Sequence, residues 1–185
     1  MEKVEQKYTH SSVAQRVIKV PQLKDKFGRT FNYLRIAVNE KCNLRCIYCM
    51  PEKGISFEPQ NKLLTRNEII RIVQVAAKLG VNKIRFTGGE PLLRKDLVEL
   101  VSGAAEISGI DSLNLTTNGV LLANAVETLK DAGLTGLNVS IDTLEKEKYT
   151  TITRRDYIDQ ACKGLEAAKR VGIPSIKVNV VALRG

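Results

Sequence analysis

The chain contains no tryptophan, a single histidine and only 5% aromatic residues. That scarcity argues against a stacking platform for single-stranded nucleic acid. No apolar run approaches the roughly 18 residues that a bilayer-spanning helix needs, so no membrane span is expected. Acid is also in deficit. There are 20 Asp and Glu against 29 Lys and Arg, a formal net charge of +9. No long block of like charge gathers this surplus into a basic tail. Most of it reads as scattered solvating side chains. The sharper reading is a small anionic substrate, which requires a site. The first residues, Met1-Glu2-Lys3-Val4-Glu5, carry acids and have no apolar core. They resemble neither a secretory nor a transit peptide, and a cytoplasmic location is expected.

What is present is ordinary for a globular protein: 185 residues, 43% hydrophobic and 26% charged. This predicts one domain, or one domain with an arm. Residues 1–28 are polar and mixed in charge, and are expected to form an N-terminal arm. Within it Val17–Val20 reads as a short edge strand or extended segment, and Phe27–Thr30 as a turn. From residue 29 to 185 strands and helices alternate. Strands are expected at Tyr33–Val38, Lys83–Phe86, Ser112–Thr116, Gly136–Ile141 and Ser175–Val181. Helices are expected after Thr65, which with Glu68 forms a capping box, and at Asp96–Ile107, Leu121–Ala132 and Tyr157–Val171. Such alternation predicts an α/β fold with a parallel sheet and helices outside it. Five strands do not close an eight-stranded barrel. The chain also stops directly after the fifth, leaving a bare edge that folds avoid. A truncated barrel domain with its C-terminal part missing is the expectation, and a complete open sheet the alternative. The bare edge also suggests self-association, such as a homodimer.

Four cysteines occur, at positions 42, 46, 49 and 162. Three crowd into Cys42-Asn43-Leu44-Arg45-Cys46-Ile47-Tyr48-Cys49, just after the first long strand. Without a secretory signal this crowding points to metal rather than disulfides. Structural zinc takes four ligands, usually in two separated pairs. Cys162 stands far along the chain on the apolar stripe of a helix, where a buried free thiol is expected. Three thiolates can hold three irons of a [4Fe-4S] cluster and leave one iron open to a ligand that is not protein. A zinc knuckle remains the bland alternative.

The Cys-x3-Cys-x2-Cys spacing resembles the signature of the radical S-adenosyl-L-methionine (SAM) superfamily. A second segment agrees: Thr87-Gly88-Gly89-Glu90-Pro91 follows the second strand, where that superfamily carries a Gly-Gly-Glu-Pro turn. The resemblance implies a TIM-type partial barrel with Cys42, Cys46 and Cys49 on the cluster. It implies that Tyr48 packs on the adenine of SAM, and that Gly88, Gly89 and Glu90 meet its amino group. Reductive cleavage of SAM would then yield a 5′-deoxyadenosyl radical.

The resemblance is closer still to the N-terminal half of the GTP 3′,8-cyclase family of molybdenum cofactor (molybdopterin) biosynthesis. It covers nearly all of residues 25–185. It rests on Leu34-Arg35-Ile36, Cys46–Pro51, Lys83–Leu92, Leu115-Thr116-Thr117-Asn118-Gly119, Leu137–Asp142 and Lys177–Val181. It implies GTP contacts at Arg35, Arg85, Thr116 and Lys177, and a further SAM contact at Ser140. It implies hydrogen abstraction from C3′ of GTP and closure onto C8 of guanine. Implied partners are GTP, an electron donor such as flavodoxin or its reductase, and a downstream cyclic pyranopterin synthase. The family is longer, with a second cysteine cluster and a Gly-Gly tail, so this chain alone is expected to lack full activity. Two alternatives are another radical SAM enzyme, modifying a peptide or assembling a cofactor, and a non-enzymatic iron–sulfur module. Arg154-Arg155 is expected to be a solvated helix start, and Arg94-Lys95 to lie in a loop without a role.

Overall fold

A computed structural model describes residues 22–184 of the chain. The segment Val17–Val20 and the lone His10 lie outside the described residues. The first described element is an antiparallel hairpin of β1 (Leu23–Lys24) and β2 (Thr30–Phe31). Its turn is the one expected at Phe27–Thr30. Asp25 Oδ1 accepts the backbone N–H groups of Phe27 and Arg29, both at 2.9 Å, and Gly28 takes φ +80°. The expected arm boundary at residue 28 falls inside this hairpin.

Five parallel strands follow, in sequential order: β3 (Tyr33–Ala37), β4 (Lys83–Thr87), β5 (Ser112–Thr117), β6 (Gly136–Ser140) and β7 (Ser175–Asn179). Their side chains alternate between two faces. One face carries Ile36, Ile84, Phe86, Leu113, Leu115, Leu137 and Val139, all buried in the core. Against it pack helices α1 (Arg66–Lys78), α2 (Leu97–Ala105), α3 (Val126–Asp131) and α5 (Ile158–Arg170), while α4 (Lys146–Thr153) joins the core through Tyr149. The other face carries Arg35, Arg85, Asn114, Thr116, Asn138, Ser140 and Lys177. A strand buried on both faces would read as continuously apolar. These strands keep a polar inner face, as a barrel wall around a polar lumen does. The sheet is the α/β, partial TIM-barrel wall expected from the alternation. No described helix is long and apolar enough to cross a membrane.

The helix starts and stops follow local chemistry. Thr65 and Glu68 form the expected capping box on α1, and Gly80 takes φ +87° just beyond its end. Three elements depart from expectation. The helix expected over Leu121–Ala132 is two pieces, a short turn at Leu122–Asn124 and then α3. The cause is close docking by α5. A Cβ added at Gly164 would stand 2.3 Å from the carbonyl oxygen of Gly119, beside the fully buried Leu122. Helical spacing runs through both pieces, so the break is invisible in the pattern. Helix α4 was not foreseen. Only Tyr149 and Thr153 of its eight residues are buried, too few to give an apolar period. The fifth long strand also ends earlier than expected, at Asn179. Cys162 is half-buried and free, packed against the core as anticipated, and burial pushes its thiol pKa up.

The Gly164 contact yields a first prediction. Gly164→Ala forces a methyl group onto the Gly119 backbone, and overpacking of this kind costs about 1–3 kcal/mol. Urea unfolding should show a lower midpoint with an unchanged slope. An unchanged midpoint would mean that α5 and the Gly119 turn can move apart freely.

Candidate functional site

The candidate residues converge because strands β3 to β6 all point the same way. The loops at their C-terminal ends therefore gather at one rim of the sheet. Barrel active sites form at this rim. The cysteine loop leaves β3, the Gly88-Gly89-Glu90 turn leaves β4, Thr117-Asn118-Gly119 leaves β5 and Asp142 follows β6.

The cysteine loop folds tightly on itself. The backbone N–H groups of Cys49 and Met50 both donate to the Cys46 carbonyl at 2.9 Å. Cys42 and Cys46 are half-buried and Cys49 is exposed. The three thiols lie within electrostatic reach of one another, and burial pushes the Cys42 and Cys46 thiols up. The Cys42 sulfur receives the Leu44 N–H at 3.4 Å and the Asn118 side-chain amide at 3.9 Å. Donors aimed at sulfur suit a thiolate ligand. Among the described residues no three His, Cys, Asp or Glu side chains converge on the position of a single ion. Three thiols on one loop can each bind a separate iron of a cluster. The donor set fits a three-thiolate cluster.

The glycine turn is docked on the cysteine loop's approach. Gly89 N donates to Asn39 O at 3.1 Å and Glu90 N to Lys41 O at 2.7 Å. Gly88 takes φ +137°, and a Cβ there would stand 2.3 Å from Asn39 O. A Cβ on Gly89 would meet Lys41 O at the same distance. Neither position accepts a side chain, because the Asn39–Lys41 backbone fills the space a Cβ would take, so only glycine lets the turn dock this closely on the start of the cysteine loop.

The resemblance implies that Glu90 meets the SAM amino group; in the structure its side chain is turned inward and fully buried. It accepts from the Thr117 hydroxyl at 2.8 Å, from Asn118 N at 2.7 Å and from Leu92 N at 3.0 Å. Burial pushes its carboxyl group up, and these three donors oppose the shift. Glu90 thus ties the β4 rim to the β5 rim. Asn118 extends the tie, because its side-chain amide donates to Asn43 Oδ1 at 2.7 Å within the cysteine loop.

Tyr48 is half exposed, and its hydroxyl donates to Asp142 Oδ2 at 2.6 Å. Burial and the Asp142 carboxylate push the phenol far above its usual range. Asp142 Oδ1 also accepts Val181 N at 2.9 Å, so one carboxylate links the cysteine loop, β6 and the segment after β7. Ser140 ends β6 on the inner face, half-buried.

Below the rim, Arg35 and Arg85 are direct cross-strand neighbours. Like charges in that relation repel. Arg85 reaches Thr116 Oγ1 at 3.4 Å, while its Nε is buried without a partner. Thr116 and Lys177 flank Asn138 in the next register row. The inner face therefore places Arg35, Arg85, Thr116 and Lys177 on four strands around one polar surface. Arg94, assigned no role from sequence, clamps Val38 O at 2.9 Å, Leu64 O at 3.1 Å and Asp96 at 2.8 Å. Asp96 is held below the usual carboxylate range chiefly by that guanidinium. Asn118, Asn43 and Asp142 were missed as site residues. Asn118 and Asp142 stand inside segments already singled out for resemblance, which was the available signal.

The family model described as "Radical SAM superfamily" matches residues 36–185. Over 163 residues the chain is 47% identical to the GTP 3′,8-cyclase of Listeria monocytogenes serotype 4b (strain CLIP80459), covering 88% of this chain and 49% of that protein. It is 46% identical over 164 residues to a molybdenum cofactor biosynthesis protein of Caenorhabditis elegans, covering 89% of this chain and 27% of that one. The chain thus spans about half the length of the bacterial relative. The crystal structure of Streptococcus suis SuiB bound to S-adenosylmethionine superposes with a TM-score of 0.68 at 22% identity, covering 83% of this chain and 33% of that chain, a likeness of fold. With the family match extending over most of its length, the chain belongs to the radical SAM superfamily.

Proposed function

We propose that the chain carries the radical-initiating part of a GTP 3′,8-cyclase, which converts GTP to (8S)-3′,8-cyclo-7,8-dihydroguanosine 5′-triphosphate on the route to the molybdenum cofactor. The observation that supports it is the joint placement of a three-thiol loop and a cation-lined inner face on one parallel sheet. Cys42, Cys46 and Cys49 would hold the [4Fe-4S] cluster, and the Gly88-Gly89 backbone, Tyr48 and Ser140 would bind SAM. When bound, that pair supplies one-electron cleavage of the sulfonium bond and hence a carbon-centred radical.

The chain's own residues do the rest. Asn118 and Leu44 N–H point at the Cys42 sulfur and favour its thiolate. Asp142 holds the Tyr48 ring by its hydroxyl. Glu90 locks the glycine turn, a positioning part rather than a contact. Arg35, Arg85 and Lys177 meet triphosphate oxygens through charge-assisted bonds, which offsets the Arg35–Arg85 repulsion. Thr116 orients Arg85.

The test is electron paramagnetic resonance of the anaerobically reconstituted, reduced chain with and without SAM, followed by GTP titration. A cluster signal that shifts on adding SAM is expected. GTP affinity should fall roughly 10- to 100-fold in Arg85→Ala, the loss for hydrogen bonds between charged groups. A signal indifferent to SAM would indicate an electron-transfer module. A SAM-responsive signal without GTP affinity would indicate a different radical SAM substrate.

A further inference from the structure

We propose that Arg154 is a positioning residue that clips the cysteine loop shut from outside, holding Cys46 and Cys49 in place before and after metal enters. The inference rests on the cluster reading above for what the loop holds, but the clip itself stands on geometry. Arg154 is the only non-glycine residue with positive φ among the described residues, at +55°. Such a conformation disfavours a side chain, and it persists where the surroundings demand it. Glycine would adopt it without strain. An arginine here therefore suggests that its side chain is needed.

The guanidinium shows what it does. A single nitrogen, Nη1, donates to Arg45 O at 3.0 Å and to Met50 O at 3.1 Å. Those carbonyls stand at the two ends of the segment that contains Cys46 and Cys49. The left-handed turn at the end of α4 is what aims the side chain at them. Two backbone bonds from the same helix complete the clip. Arg45 N donates to Thr153 O and Ile47 N to Ile152 O, both at 2.9 Å. Thr153 is buried, and its hydroxyl donates within the turn to Tyr149 O at 2.8 Å or Arg155 O at 2.9 Å. The neighbouring Arg155 is exposed, its side chain donates only to Arg154 O and its backbone N–H to Thr153 Oγ1, so the two arginines are not equivalent. The sequence reading of both as a solvated helix start is corrected for Arg154.

The experiment uses the full chain with Arg154→Gly, Arg154→Lys and Arg155→Ala. Iron release from the reconstituted chain to a chelator is followed under anaerobic conditions. Arg154→Gly should release iron roughly 10- to 100-fold faster, the range for losing an outer-shell support. Arg154→Lys, which keeps the charge but has a side chain one atom shorter than the reach to Nη1, should fall between. Arg155→Ala should match the parent. The metal-free Arg154→Gly chain should melt at or above the parent temperature, because strain is relieved. Its Arg45 and Ile47 amides should nevertheless lose protection from hydrogen exchange while β4 to β6 keep theirs. Parent-like iron retention, unchanged amide protection, or a melting loss that accounts for the iron loss would each overturn the clip. If the parent chain takes up no iron, the cluster reading fails, and the exchange data on the metal-free chain still decide the clip.

Discussion

Cys46→Ala should abolish iron–sulfur loading of this chain, lowering retained iron by more than about 100-fold. Loss of an outer-shell partner already costs 10- to 100-fold in metal affinity, and a ligand is worth more. The loop has no spare donor to substitute. The fourth cysteine, Cys162, lies on α5 against the core and not at the rim. The lost ligand is also the centre of the loop's own hydrogen bonding, through its carbonyl. That carbonyl remains in the alanine variant, so the fold should survive while the site fails. Iron and sulfide analysis of anaerobically reconstituted protein reads the effect directly. Cys162→Ala should load as the parent does. Full iron content in Cys46→Ala would sink the three-thiolate site. Loss of iron in Cys162→Ala instead would move the site to the helix.

The second large effect is expected at Glu90, and it is one of stability. Its carboxylate is fully buried and receives three donors. Glutamine has nearly the same shape but only one acceptor oxygen, and its amide would face an N–H or O–H donor. At least one buried donor is then left without a partner, at about 1–3 kcal/mol, and a charge-assisted bond is lost as well. Glu90→Gln should destabilise the metal-free chain by about 2–4 kcal/mol in urea unfolding. By contrast, loss of the exposed Thr65 cap on α1 should cost only about 1 kcal/mol. A Glu90→Gln variant as stable as the parent would show that the carboxylate faces solvent or ligand, as the resemblance implied.

Much of the fold was legible because its causes are local. Alternation within Leu34-Arg35-Ile36 and Lys83-Ile84-Arg85-Phe86 gives strands with one apolar face. Thr65 with Glu68 gives a helix start. The break before α3 was not legible, because it arises from contact between Gly164 and Gly119, which are far apart in sequence. Nor was α4, whose polar sequence is held by Tyr149, Thr153 and the loop it buttresses.

The sequence by itself determined the donor chemistry of the site. Cys-x3-Cys-x2-Cys is a spacing within one loop, and thiol identity does not depend on the rest of the chain. It also determined which strand positions carry cations, because a period of two fixes the face of each side chain. Only the tertiary structure decided which polar groups look into the site and which hold it together. Glu90 and Arg154 are charged in sequence, and both read there as facing ligand or water. Docking of Gly88 and Gly89 on the Asn39–Lys41 backbone turns Glu90 inward. The left-handed turn after α4 turns Arg154 onto the cysteine loop. A side chain's direction is set by the backbone that carries it. That backbone is set here by contacts between segments far apart in the chain.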